Sequence, residues 1–170
     1  MATAKYQLND FLALLSDNTV SKNFVDTIHT TLQQDGYKPK IQVTKSTGLQ
    51  ISYHQPKSKT VAGIVLIFYV RENALKARIN CKSHKNYHDI IANLPAGMIS
   101  QVDSTANCVK FTDPQKCWKG CIGYEFHIGE QHYQKCAIDC FEFEVEEESL
   151  PAITNLIYAE NKERAAMILA

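Results

Sequence analysis

The sequence has no long hydrophobic run, no excess of charge of either sign and no visible leader. Its longest apolar stretch, residues 64–70, has the length of a strand and falls short of the roughly 18 residues that a membrane helix needs. Basic and acidic side chains number 18 each, which excludes a strongly basic or acidic surface over the whole chain. Residues 1–11 lack the pattern of a secretory signal. These absences predict a cytoplasmic protein that does not enter membranes.

Motifs typical of enzymes are also missing. The chain has only seven glycines, and neither a phosphate-binding glycine loop nor a G-x-S-x-G nucleophile motif occurs. Cys81, His84, His88 and Asp89 offer a thiol, two imidazoles and a carboxylate close together in sequence, as a nucleophilic pair would require. The glutamate of an HExxH metal motif is absent between the two histidines. The sequence therefore favours a binding module over an enzyme.

Length and composition predict one ordinary globular domain over residues 1–170. Hydrophobic residues make up 45% of the 170-residue chain, which is enough for a proper core. The net charge of the chain is zero, but the two halves carry opposite net charges. Residues 1–85 carry 12 basic and 5 acidic side chains, whereas residues 86–170 carry 6 basic and 13 acidic ones. The two halves attract each other, which predicts either a compact body or a head-to-tail homodimer.

Helical periodicity appears in four places. The best-marked helix begins at Ser21, the expected cap, and ends at Gly36. Its apolar residues recur at steps of three and four, as one buried helix face requires: Phe24, Val25, Ile28 and Leu32. The pattern also predicts a helix over residues 6–15, a middle helix over residues 87–94 and a carboxyl-terminal helix after Ser149.

Alternating and β-branched segments predict strands over residues 40–44, 49–54, 60–71, 75–80, 124–128, 132–136 and 141–145, and a short strand over residues 109–112. The connections between successive strands are too short for parallel crossovers, so the sheet or sheets should be mostly antiparallel. The predicted fold class is α+β, with two amino-terminal helices, a middle helix and a carboxyl-terminal helix.

Cysteine is unevenly distributed. Five of the six cysteines lie between residues 108 and 140, in the spacing C-x8-C-x3-C-x14-C-x3-C. In a reducing compartment such a cluster indicates a metal site before a disulfide framework. Two close pairs separated by a hairpin are typical of zinc ribbons, where four thiolates form a tetrahedron. The predicted ligands of a structural zinc ion are Cys117, Cys121, Cys136 and Cys140.

One condition applies to the second pair. On a continuous strand Cys136 and Cys140 would lie about 13 Å apart, so residues 137–139 must break the strand if both are to bind one ion. If they do not, the fourth ligand should come from Cys108, His127 or His132.

The same region carries a resemblance. Residues 117–129 read CWKGCIGYEFHIG, residues 132–136 read HYQKC and residues 140–143 read CFEF. These segments resemble a group of uncharacterised small Firmicutes proteins with a cysteine-rich carboxyl half, over about residues 60–160. The resemblance implies a bacterial cytosolic protein and implies no activity.

The functional prediction is a binding or interaction domain with a structural zinc site in its carboxyl half. One alternative is a thiol-dependent redox protein that uses a C-x3-C pair. A third is a nucleic-acid-binding module that uses the lysines and tyrosines of the first half, although overall neutrality argues against phosphate binding.

Overall fold

The structure, a computed structural model, describes residues 6–56, 63–117 and 121–169, with side chains as far as residue 167. Within these ranges the α-helices are α1 (Leu8–Leu12), α2 (Thr19–Gln34), α3 (His88–Ala92), α4 (Ala96–Ser104) and α5 (Leu150–Leu169). The strands are β1 (Lys38–Thr44), β2 (Gly48–His54), β3 (Ile64–Arg71), β4 (Ala74–Ile79), β5 (Tyr124–Ile128), β6 (Gln131–Lys135) and β7 (Glu142–Glu144).

The strands form two sheets that are mostly antiparallel. The larger has the order β1-β2-β3-β4-β7, and the smaller is the hairpin of β5 and β6. Antiparallel pairing joins β1 to β2 and β2 to β3, with one register shift between Tyr53 and His54. The predicted α+β class with a mostly antiparallel sheet is confirmed.

The chain divides into two compact units. One comprises residues 1–78 and 144–150, and the other comprises residues 79–143 and 151–170. The second unit therefore contains every cysteine of the chain. The single domain over residues 1–170 stays a prediction.

In the first unit, α2 forms where the sequence places its apolar stripe. Its cap is Asn18, whose side chain accepts a hydrogen bond from the backbone N–H of Ser21 at 2.9 Å. The cap therefore lies three residues earlier than predicted. Gly36 follows the helix with a φ of +84°, a left-handed conformation that glycine adopts readily. The predicted stripe is buried, and Phe24 makes an edge contact with Phe68 of β3 at 5.8 Å between ring centroids.

The second unit has an aromatic core. Alternate residues of β5 are buried, namely Tyr124, Phe126 and Ile128, as the period of two predicts. The rings of Phe126 and Tyr133 stack across the hairpin at 5.2 Å between centroids, and Phe126 also contacts Phe141 at 5.3 Å. Helix α5 adds Ile153, Leu156 and Ile157, all of which are fully buried. In the described ranges no helix has both the length and the apolar character that a bilayer crossing requires.

Two predicted elements differ from the observed ones. The short strand expected over residues 109–112 is a 3₁₀ turn, Val109–Phe111. No helix is predicted between residue 94 and Ser149, but α4 spans nine residues in that interval and buries Met98 and Val102. Pro95 ends the preceding helical pattern and also stands immediately before α4, where a proline costs no helical hydrogen bond.

Candidate metal centre

Three cysteine sulfurs converge in the second unit. The Sγ atoms of Cys108, Cys117 and Cys121 all lie within 4.8 Å of one another, and those of Cys108 and Cys121 are 3.8 Å apart. These three residues are called the sulfur cluster below. Cys108 is buried, while Cys117 and Cys121 are partly exposed. Over residues 6–56, 63–117 and 121–169 this is the one group of three or more ligand residues with a spacing that suits a metal ion.

Backbone hydrogen bonds hold the segments that carry the cluster. The N–H of Cys108 donates to the carbonyl of Gln134 in β6 at 2.8 Å, which ties the first cysteine to the hairpin. The Nζ of Lys110 donates to the carbonyl oxygen of Cys121 at 2.7 Å and so links the first and third cysteines. A 3₁₀ turn, Pro114–Lys116, directly precedes Cys117. Regular helices and strands therefore contribute little here, and local turns position the sulfurs.

The turns direct backbone N–H groups at sulfur. The N–H of Lys110 donates to Cys108, that of Gly123 to Cys121 and that of Ile138 to Cys136. Each donor lies two residues after its cysteine, so one local geometry occurs three times. A thiolate sulfur gains from such donors, which orient the ligand and stabilise its charge. This arrangement is what a thiolate metal site needs around its ligands.

The thiols of the region differ in acidity. Burial raises the pKa of Cys108 to about 11, although the N–H of Lys110 opposes the shift. Burial also acts to raise the pKa of Cys121, but the N–H of Gly123 and the neighbouring thiols outweigh it, so its pKa is lowered. Burial raises the pKa of Cys136. A divalent cation would deprotonate such thiols outright, because its charge exceeds these local effects.

Neither member of the second predicted pair belongs to the sulfur cluster. Residues 137–139 do interrupt the strand: the N–H groups of Asp139 and Cys140 both donate to the carbonyl of Cys136, at 3.3 and 3.1 Å. The thiol of Cys121 lies close enough to Cys136 to help raise the pKa of the Cys136 thiol, after burial, its largest cause. Cys140 is only 1% exposed, and burial together with the nearby Cys81 raises the pKa of its thiol far above the usual range.

Of the four predicted ligands, the structure therefore brings Cys117 and Cys121 together with Cys108, which the sequence had held in reserve. Cys136 adjoins this group through Cys121. Cys140 lies in the core, within the electrostatic reach of Cys81. The spacing of the cysteines could not indicate that Cys108 joins the cluster. Its position depends on a backbone hydrogen bond to Gln134, which is 26 positions away along the chain.

The two reserve histidines lie on the exposed face of the β5–β6 hairpin. His127 and His132 are paired across the strands, with ring centroids 4.7 Å apart. The Nε2 of His132 is 3.1 Å from a carboxylate oxygen of Glu125. Neither histidine belongs to the metal-compatible group of the described residues.

The candidate catalytic group does not form a thiolate–imidazole pair. Cys81 is fully buried, and burial raises the pKa of its thiol far above the usual range. Both ring nitrogens of His84 face main-chain carbonyl oxygens, those of Cys81 at 3.1 Å and Glu125 at 3.3 Å. His88 and Asp89 make an exposed pair at 3.0 Å. The arrangement is structural.

The comparisons with known proteins give no relative. No protein family, no curated protein and no solved structure matches this chain.

Gly123 is a site residue that the sequence reading missed, and it provides a matched pair of variants with Gly129. Both glycines have a φ of +59°. A Cβ at Gly123 would lie 2.6 Å from the ring of Phe111 and 3.6 Å from the sulfur of Cys108, whereas a Cβ at Gly129 meets nothing within 4 Å. An alanine at either position suffers the same backbone strain, because the two φ values are equal, so the variants differ only in the clash beside Cys108. We expect Gly123→Ala to weaken metal affinity by at least about tenfold. We expect Gly129→Ala to leave metal affinity unchanged. Competition with a chromogenic chelator measures the metal affinity of each variant. Equal affinities in Gly123→Ala and Gly129→Ala would contradict the prediction.

Proposed function

We propose that the protein binds one zinc ion through Cys108, Cys117, Cys121 and Cys136 and serves as a binding or interaction module whose fold the ion stabilises. The observation that carries the proposal is the convergence of three thiol sulfurs within 4.8 Å. The proximity of Cys136 to Cys121, which contributes to the raised pKa of the Cys136 thiol, supports Cys136 as the fourth ligand. Each of the three N–H donors acts to lower the pKa of its cysteine, and each would stabilise the thiolate that a bound ion requires.

The donor set favours zinc and a structural role. Tetrahedral sites built only from cysteine sulfur select zinc or iron, and zinc accepts whatever tetrahedral arrangement the turns impose. Four protein ligands leave no open position for substrate or water, which argues against catalysis at the ion. Thiolates at this spacing repel one another unless a cation lies between them, and a zinc ion would supply that charge. The proposal implies a reducing compartment such as the cytoplasm.

Metal analysis of wild-type protein purified without chelator tests the proposal. We expect one zinc ion per chain. Cys108→Ser and Cys121→Ser should each lose most of the metal, because either substitution removes a thiolate from the tetrahedron. Cys140→Ala is the matched control: it removes a cysteine of the same region whose side chain is buried, and its zinc content should equal that of the wild type.

Cobalt(II) titration of the reduced, metal-free wild type gives a second measurement that does not depend on the folding of a variant. Tetrahedral thiolate coordination should produce intense sulfur-to-cobalt charge-transfer bands. Substoichiometric zinc, together with four freely titratable thiols in the native state, would contradict the proposal. If Cys108→Ser kept one zinc ion per chain and Cys140→Ala lost it, Cys140 and not Cys108 would be the ligand.

A further inference from the structure

We infer that Cys121 is a site of oxidation by hydrogen peroxide or an alkyl hydroperoxide, and that Cys108 then joins it in a disulfide. The metal centre thereby acts as a redox switch. The disulfide needs only the two cysteines, whereas the release of zinc that accompanies it rests on the proposed function. The inference also departs from the redox alternative of the sequence, which placed the disulfide within a C-x3-C pair.

Distance and exposure single out these two residues. Their sulfurs are 3.8 Å apart, and a disulfide bond needs about 2.05 Å, so an approach of less than about 2 Å closes it. Twelve residues separate them in sequence, and the loop between them contains turns and no strand or α-helix among its described residues. Cys121 is partly exposed and accessible to a small oxidant, whereas Cys108 is only 4% exposed.

The remaining cysteines fit less well. Cys81 and Cys140 are 0% and 1% exposed, so an oxidant in solvent does not reach them in the folded chain. Cys136 neighbours Cys121, but it lies outside the group whose sulfurs are all within 4.8 Å. Cys117 belongs to that group and is the real competitor of Cys108, so the experiment must separate the two pairs.

The chemistry balances without a further reactant. The sulfur of Cys121 attacks one peroxide oxygen, the O–O bond breaks, and the departing oxygen leaves as hydroxide or alkoxide, which takes up a proton. The product is a sulfenic acid on Cys121. The sulfur of Cys108 then attacks the Cys121 sulfur, the S–O bond breaks, and the oxygen leaves as water. The two sulfurs together give up two electrons, and the peroxide accepts them.

Zinc release follows from ligand loss. The disulfide removes two thiolates of the proposed four, and a disulfide sulfur is a poor zinc ligand compared with a thiolate. The remaining two cysteines hold the ion far more weakly, so it leaves as the divalent cation. Reduction of the disulfide by a dithiol restores both ligands and allows the ion to bind again.

The test treats zinc-loaded wild-type protein with one to five equivalents of hydrogen peroxide. Non-reducing peptide mapping identifies the disulfide, and a chromogenic chelator counts released zinc. We expect a Cys108–Cys121 link, about one zinc ion released per link, and recovery of both with dithiothreitol. In Cys108→Ser we expect dimedone to trap the sulfenic acid on Cys121. Cys81→Ala should behave as the wild type.

The outcomes separate the two proposals. A link between Cys117 and Cys121, or oxidation that leaves Cys121 reduced, would overturn the inference and leave the zinc site standing. If the wild type holds no zinc on purification and binds none on titration, the proposed function is contradicted, and a Cys108–Cys121 link in that protein would still support the assignment of the modification site. The same peroxide treatment is applied to reduced, metal-free wild type. The disulfide can therefore be assigned even if a cysteine variant fails to fold.

Discussion

Removing the metal with a strong chelator should unfold the cysteine-rich part of the second unit. Between the end of α4 at Ser104 and the start of β5 at Tyr124, the described residues form only 3₁₀ turns and isolated bonds. Such a segment has little cooperative structure of its own, so the proposed ion would supply much of its order. Structural zinc contributes about 10–16 kcal/mol of apparent binding free energy in small domains, which is as large as the ~5–15 kcal/mol stability of a whole domain.

Hydrogen exchange measures the effect most directly. We expect the backbone N–H of Cys108 and the amides of β5 and β6 to lose most of their protection when chelator is added, and the thermal transition to broaden or fall. Cys108→Ser protein is the control, since chelator should not change its exchange further. Unchanged protection of the Cys108 amide in a sample shown to be free of metal would contradict the prediction.

The buried faces of the elements could be predicted from the sequence. In α2 the residues at steps of three and four are the buried ones, and in β4 Leu75, Ala77 and Ile79 are buried at steps of two. β3 is largely buried on both faces, as its continuous apolar run indicates. These predictions succeeded because burial in a regular element depends on the period of the chain alone.

The failures occur where local geometry depends on distant partners. Residues 109–112 alternate weakly, but the segment turns because the Lys110 N–H donates to Cys108 and the Lys110 ammonium bonds the carbonyl of Cys121. The alternation of four residues cannot predict contacts with residues that are distant along the chain.

The grouping of the cysteines in space shows the same limit, while the predicted ligand set itself stays a prediction. The sequence identified the cysteine region but grouped cysteines by their separation along the chain. The break at residues 137–139 turns Cys136 and Cys140 to different environments, and the hairpin brings in Cys108. The head-to-tail homodimer and the bacterial cytosolic origin stay predictions.

The second large effect concerns a buried ion pair on α5. The Nε of Arg164 donates to a carboxylate oxygen of Glu160 at 2.6 Å, and the two side chains are 3% and 0% exposed. The other carboxylate oxygen accepts from the hydroxyl of Tyr87 at 2.6 Å and from the N–H of Ser83 at 3.0 Å. Arg164 also donates to the carbonyl of Asn80 at 2.8 Å. Helix α5 and residues 80–87 therefore meet at this pair.

Arg164→Met should lower the free energy of unfolding by about 3–5 kcal/mol, because it leaves the Glu160 carboxylate buried without its counter-charge. Urea unfolding followed by far-ultraviolet circular dichroism measures the loss. The double variant Glu160→Gln/Arg164→Met should recover a large part of it, since the glutamine oxygen can still accept from Tyr87 and Ser83 while no charge remains buried.

The comparison between the single and double variants decides what the pair contributes. If the cost of Arg164→Met came only from lost packing of its long side chain, adding Glu160→Gln would not restore stability and would remove one more favourable interaction. A double variant less stable than Arg164→Met would therefore contradict the electrostatic account. Recovery of more than about 1 kcal/mol exceeds the few tenths expected for independent sites and identifies the unpaired carboxylate as the source of the destabilisation.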